Sequence, residues 1–157
     1  MKPRRLAVLD VDGVIADAAW RLPLLGDDPA SASRKAWAAF FDAAGADPLI
    51  PSGRVLACQL AVDHEICWLT ARSDRTRDLT AAWFDRHDVP RDDLRMRPNY
   101  DLRPSPVWKV EQLHELAKTR EIDVVIDDDK RVVAMALGQG FPAMFPSAAS
   151  TSSHHLA

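Results

Sequence analysis

Two cysteines, Cys58 and Cys67, are the only thiols in the chain, and they form no CxxC. Their apolar neighbours suit a reduced interior and exclude a disulfide framework or a cysteine-built zinc site. The five histidines supply no HExxH or comparable ligand spacing, and two of them, His154 and His155, fall in a Ser/Ala-rich end read as frayed from about Ser147. No GxxxxGK[ST] is present, which excludes a P-loop. There is no excess of positive charge either: the formal net charge is -3 and the pI about 5.9, so the chain as a whole is not drawn to phosphate polymers or anionic membranes. No apolar run is long enough to span a bilayer, and the N-terminal one is cut by Asp10 and Asp12, so it cannot serve as a signal-peptide core. Internal repeats are lacking too. A protein of the cytoplasm, not engaged with membranes, is expected.

What is present is the composition of one folded domain: 157 residues, 47% hydrophobic and 27% charged, enough for a single core of ordinary size. Short aliphatic runs alternate with helical patterns, and each ends in polar residues: LAVLD to Asp10, EICWLT to Thr70, DVVIDDD to Asp127, and a weaker AMF at Phe145. Ser73 can cap a helix with Leu79, Ala82 and Trp83 on its apolar face. Ser105 and Pro106 can open another, with a face of Val110, Leu113, Leu116 and Ala117. Buried strands alternating with helices imply right-handed crossovers, a parallel sheet, and ligands at the carboxyl ends of the strands. The expected fold class is therefore α/β, a Rossmann-like three-layer sandwich around a parallel sheet, over residues 1–147. Residues 16–51 interrupt the pattern with a Gly/Asp/Pro-containing piece and a helix around Ser33 to Ala44, and read as a small helical cap inserted over the site. Residues 148–157 read as a flexible tail.

The chemistry-bearing residues gather at that carboxyl edge. Asp10-Val11-Asp12-Gly13 follows the first strand. Two carboxylates two residues apart on a strand-to-loop turn can take different roles, one binding a cation and attacking, the other moving protons, while Gly13 permits the sharp turn. The same letters occur in calcium loops and ordinary turns, though Ile15 and Ala19 do not supply calcium ligands at the alternate positions. Thr70-Ala71-Arg72 offers a hydroxyl and backbone amides to phosphate oxygens, or simply ends a strand. Lys109 sits in the first turn of its helix and off the apolar face, where it can charge an anion site or be a solvated lysine. Asp127-Asp128-Asp129 crowds three acids at one strand end, a repulsion that a divalent cation relieves.

Taken in order, these four elements resemble the motifs of the haloacid dehalogenase superfamily of phosphatases, from about Leu6 to Phe145. Within it, Arg95-Met96-Arg97-Pro98, Asp101, Arg103-Pro104 and Val107-Trp108-Lys109 resemble the approach to the lysine motif in the 3'-phosphatase domain of polynucleotide kinase-phosphatases of bacteriophages and bacteria. Ile126-Asp127-Asp128 with Arg131-Val132-Val133 resembles that group's acidic motif and helix. The resemblance implies a magnesium-dependent phosphomonoesterase in which Asp10 becomes an aspartyl-phosphate and Asp12 is the general acid and base. It implies magnesium held by the Asp10 carboxylate, the Asp12 backbone carbonyl, Asp127 and Asp128. Thr70, Ala71 and Lys109 would bind the phosphoryl group, and Arg72 the rest of the substrate, joined by Arg21, which stands eleven residues beyond Asp10 as an arginine does in that group. Position 14 departs from the superfamily's commonest residue, Thr, by being Val.

The implied substrates are 3'-phosphorylated DNA or RNA ends, or nucleotides. A separate kinase or ligase would complete end healing, since no kinase motif is present. A nucleotidase or small-metabolite phosphatase is the alternative enzyme, and a phosphoacceptor signalling module the alternative of another class, although its motif order differs. Between Arg72 and Arg103, eight arginines stand against seven aspartates, a balanced segment with no basic stripe. Trp20, beside Arg21, could stack on a base, though packing is the commoner use of a tryptophan.

Overall fold

The computed structural model describes residues 2–149. Five strands, β1 (Leu6–Leu9), β2 (Glu65–Ser73), β3 (Asp93–Arg97), β4 (Ile122–Ile126) and β5 (Ala143–Met144), form one wholly parallel sheet in the order β3-β2-β1-β4-β5. Among the described residues, five helices of two or more turns accompany it: α1 (Arg34–Asp42), α2 (Pro51–Ala61), α3 (Arg77–Arg86), α4 (Ser105–Ala117) and α5 (Lys130–Gly138).

The strands read as continuous apolar runs because both faces of the sheet are covered. Along β1, Ala7 and Leu9 join Ile66, Trp68, Ile126, Leu56, Trp83 and Phe84 on the side of α2 and α3. Leu6 and Val8 join Cys67, Leu69, Val125, Trp108, Leu113 and Val133 on the side of α4 and α5. This alternation is what makes three layers out of one sheet. Cys67 is buried, and burial pushes its thiol up to about 12.

Two elements were not legible in sequence. β3 carries charged residues at alternate positions and buries only Leu94 and Met96, so its pattern is that of a polar loop until the edge of β2 pairs with it. α2 begins with Pro51 at its first turn and was hidden by the transition out of the cap. It approaches so closely that a Cβ on Gly53 would sit 1.9 Å from the Val14 carbonyl oxygen. The stretch read as frayed from Ser147 starts inside a helical turn at residues 146–149, and Ala149 is buried among the residues on the α2 and α3 side. Ala149 thus packs onto the domain and Ala148 continues the same helical turn at the surface, while the rest of the expected tail, His154 and His155 included, lies outside the described residues.

The sheet order reverses between β1 and β4, and in such a sheet the crevice at the carboxyl ends of these two strands is where ligands sit. The insert arises directly above it. Bridges of Ala16 to Asp12 and to Leu49 pinch its two ends together, and hydrogen bonds from Asp17 N to Pro48 O (2.9 Å) and Ile50 N to Ile15 O (2.8 Å) close the neck. Between them run 3₁₀ turns at Ala19–Leu25, Pro29–Ser31 and Ala43–Ala46, and α1, capped by the Ser33 side chain. No helix among the described residues is long and apolar enough to cross a membrane.

Candidate active site

After β1 the chain tightens: the amides of Val14, Ile15 and Ala16 all donate to the Val11 carbonyl, and Gly13 N donates to Ala16 O (2.9 Å). Gly13 takes a left-handed φ of 83°, and a Cβ there would lie 1.9 Å from Asp128 Oδ2. A side chain at this position would be strained and would push the Asp128 carboxylate out of place. The turn therefore does two things: it directs Asp10 and Asp12 differently, and it lets the acidic end of β4 close in.

Asp10 is buried, and its Oδ1 accepts a hydrogen bond from Lys109 Nζ at 2.8 Å. The same ammonium donates to Asp127 Oδ2 at 2.6 Å. Lys109 stands in the body of α4, not in its first turn, and is itself buried, flanked by Trp108 and Val110. Burial opposes its charge, but Asp10 and Asp127 outweigh burial and hold it protonated, with its pKa raised. Asp127 Oδ1 also accepts from Asp129 N (2.9 Å), and Asp129 in turn caps α5 through Arg131 N (2.9 Å). Asp129 thus belongs to the helix start, whereas Asp10, Asp127 and Asp128 bring carboxylate oxygens within 4.8 Å of one another.

Among the described residues one cation, Lys109, faces these three acids. Burial, then Asp127 and Asp12, push the Asp10 carboxyl well above the usual carboxylate range despite Lys109. Burial and Asp127 raise Asp128 as well. An all-oxygen donor set with uncompensated negative charge fits a hard divalent cation such as magnesium.

Asp12 lives in the opposite environment. Its Oδ1 accepts from Arg72 Nη2 (2.7 Å) and Arg21 Nη2 (2.9 Å). Burial alone would raise its pKa, but the Arg72 guanidinium and then Arg21 overcome that and hold Asp12 below its ordinary value. Both arginines also grip Asp47: Arg21 through Nε (2.8 Å) and Nη2 (2.7 Å), Arg72 through Nη2 (2.9 Å). The side chains of Arg21, Arg72 and Asp47 are fully buried. Arg21 also lies 4.3 Å from the centre of the Phe40 ring. Arg72 reaches Asp12 because the β2–β3 pairing slips between Thr70 and Ser73, lifting Ala71 and Arg72 out of the regular ladder. Arg72 N is satisfied by Thr70 Oγ1 (3.2 Å).

One cleft of about 390 Å³ gathers Asp10, Asp12, Thr70, Ala71, Arg72, Lys109, Asp127 and Asp128. Arg21 is not at its surface: it lies behind Asp12, engaged with Asp47 and the Phe40 carbonyl (3.2 Å). Trp20 also belongs to this network, its Nε1 donating to Asp47 Oδ1 (2.8 Å) while the residue stays 48% exposed. Sequence reasoning missed Asp47, which has no motif around it and acquires its partners only when the cap docks. It missed as well the apolar wall that the cap adds to the cleft, made of Leu22, Trp37, Phe40 and Phe41.

Sheet order and site position can be set beside solved structures. A chain of the Pnkp1/Rnl/Hen1 RNA repair complex superposes with a TM-score of 0.71 at 21% identity, covering 91% of this chain and 42% of that one. A haloacid dehalogenase-like family hydrolase from Streptococcus pneumoniae gives 0.62 at 14% identity, over 91% of this chain and 84% of that one. A haloacid dehalogenase-superfamily hydrolase of subfamily IA from Geobacter sulfurreducens gives 0.57 at 17%, over 89% and 85%. This chain has the haloacid dehalogenase fold. It spans less than half of the repair-complex chain but most of each of the two hydrolases. No protein-family model matches the sequence, and no curated protein matches it either. In the haloacid dehalogenase fold of this chain, the acids that sequence reading had placed at separate strand ends share one cleft with Lys109.

Proposed function

We propose that this chain is a magnesium-dependent phosphomonoesterase that removes the 3'-phosphate from nucleic-acid ends through a phosphorylated Asp10. The observation that carries the reading is the pairing of two unlike carboxylates in one cleft. Asp10 sits among acids with a single ammonium, and Asp12, two residues on, sits among guanidiniums. The two roles, nucleophile and proton carrier, need unlike surroundings, and a cation bound among the acids would supply the charge that keeps Asp10 ionised for attack. The likeness to a chain of an RNA repair complex supports the choice of substrate.

Asp10, Asp127 and Asp128, with the Asp12 backbone carbonyl, would hold the metal, which would supply positive charge to let a carboxylate and a phosphate approach. An Asp10 oxygen forms a bond to phosphorus as the bond from phosphorus to the ester oxygen breaks. The departing oxygen takes a proton from Asp12. The Asp12 carboxylate then takes a proton from water, whose oxygen attacks phosphorus and releases inorganic phosphate and Asp10. Lys109 and the Thr70 hydroxyl face the phosphoryl oxygens, and Lys109 offsets the charge that builds there. In the arrangement described, Asp12 is ionised and clamped. It serves as an acid only after leaving Arg21 and Arg72 and taking up a proton from solvent, so release of that clamp precedes the first proton transfer.

The test is magnesium-dependent phosphate release from a 3'-phosphorylated oligonucleotide, the same strand phosphorylated at its 5' end, and 3'- and 5'-mononucleotides. Preference for the 3'-phosphorylated strand, abolished in Asp10→Asn, is expected. Preference for mononucleotides would make the chain a nucleotidase, and a stable phospho-Asp10 without release would make it a phosphoacceptor.

A further inference from the structure

A second cleft, of about 290 Å³, opens beside the first and is lined by Arg34, Arg75, Arg97, Ser73, Asn99 and Asp101, among others. The two clefts share a wall. Trp37 and Phe41 of α1 line both, their rings 5.7 Å apart between centroids and inclined by 32°. β2 also runs from one to the other, giving Thr70, Ala71 and Arg72 to the first and Ser73 to the second.

The charge of this cleft is unlike that of the chain. Three arginines line it against one carboxylate, Asp101, which Arg103 already grips at 2.7 Å and 3.0 Å. Arg75 pairs at 3.1 Å with Asp42, both largely solvated, a contact of the kind that contributes little. Arg34 and Arg97 make no salt bridge among the described residues. Arg97 is half-buried and donates to the Arg103 carbonyl at 3.2 Å; burial depresses its pKa, Asp101 opposing. Asp101, the one carboxylate acting on this half-buried guanidinium, is already bonded by Arg103, which leaves Arg97 room for an anion. Three guanidiniums beside two aromatic faces match the alternation of phosphates and bases in a single strand of nucleic acid.

We infer that the Arg34/Arg75/Arg97 cleft binds the single strand that precedes the reacting 3' end, its phosphodiesters on the arginines and its terminal base against Trp37 and Phe41. The inference rests on the reading of Asp10 as the centre that takes a 3'-phosphate, and adds that the strand, not the end alone, is held. A mononucleotide fills the first cleft only, and a strand fills both.

Two measurements test it. In an Asp10→Asn background, fluorescence anisotropy follows binding of a labelled single-stranded octanucleotide ending in a 3'-phosphate, with and without Arg34→Gln, Arg75→Gln and Arg97→Gln together. Affinity is expected to fall about tenfold, and the slope of log affinity against log salt to flatten by about 2, since each phosphate contact on a single strand contributes roughly 0.7. With active enzyme, the ratio of kcat/KM for a 3'-phosphorylated trinucleotide to that for a 3'-mononucleotide is expected to fall by a similar factor. The pair Arg34→Gln and Arg75→Gln, both at exposed positions, keeps the test available should Arg97→Gln disturb folding. Unchanged strand affinity and an unchanged ratio would overturn the inference while leaving a phosphatase in place. Strand affinity lost in the variants, with no 3'-phosphate released by the wild type, would uphold the strand site and remove the 3'-end reading.

Discussion

Asp10 and Asp12 stand two residues apart on one turn, yet the groups around them are opposites. Around Asp10, three carboxylates share one lysine, and the Asp10 carboxyl rises well above its usual range. Around Asp12, two arginines share two carboxylates, and the Asp12 carboxyl is lowered. The first group lacks positive charge and the second is neutral within itself. The difference teaches where an added ion can act: a cation is attracted to the Asp10 group and has nothing to neutralise in the Asp12 group. It also explains how one short motif supports two roles. The turn sends alternate side chains to different partners, so one carboxylate meets α4 and β4 and the other meets β2 and the cap.

The comparison breaks most severely if Asp12 loses its carboxylate. Asp12→Asn is expected to lower turnover by roughly two to four powers of ten, the usual contribution of a positioned proton carrier, while substrate affinity changes far less. A KM effect without a kcat effect in steady-state assays would place Asp12 in binding and not in proton transfer.

Next in size is the support of the second group. Asp47→Asn leaves two buried guanidiniums sharing Asp12, their one remaining carboxylate among the described residues, and breaking a buried pair in this way costs about 3–5 kcal/mol. Urea unfolding should show a lower midpoint with an unchanged slope. A variant as stable as wild type would mean that the two arginines find other partners, and that the cap is not tied to the sheet by this network.

The smallest effect sharpens the contrast from the side of Asp10. Magnesium at about a hundred times its dissociation constant should stabilise the folded chain by about 2.7 kcal/mol, a rise in melting temperature of roughly 5–10 °C for a domain of this size. Asp128→Asn should lose most of that rise and Asp47→Asn should keep it. Equal loss in both would show that the two groups are not electrically separate.

Much of this site was legible in the sequence, and for a local reason. Buried parallel strands read as short apolar runs, so Asp10 and Asp127 were placed just past strand ends by the runs before them, whereas Thr70, read as a strand end, lies inside β2, which runs on to Ser73. β3 escaped because only Leu94 and Met96 are buried in it, and Lys109, read into the first turn as either an anion-site or a solvated lysine, lies one turn further along and is buried. Arg21 was expected to reach the substrate; it is placed behind Asp12, fully buried on Asp47.

By itself, then, the sequence determined the layered α/β fold, the edge of the sheet that carries the site, and the two acids of the first turn, all written in patterns a few residues long. Only the tertiary structure decided the charge around each acid. Asp47 meets Arg21 and Arg72 across 26 and 25 residues, and Lys109 meets Asp10 across 99. Such pairs form because folding removes them from water, where their attraction is weak, to a buried place where an unpaired charge is costly. No run of neighbouring residues records that cost.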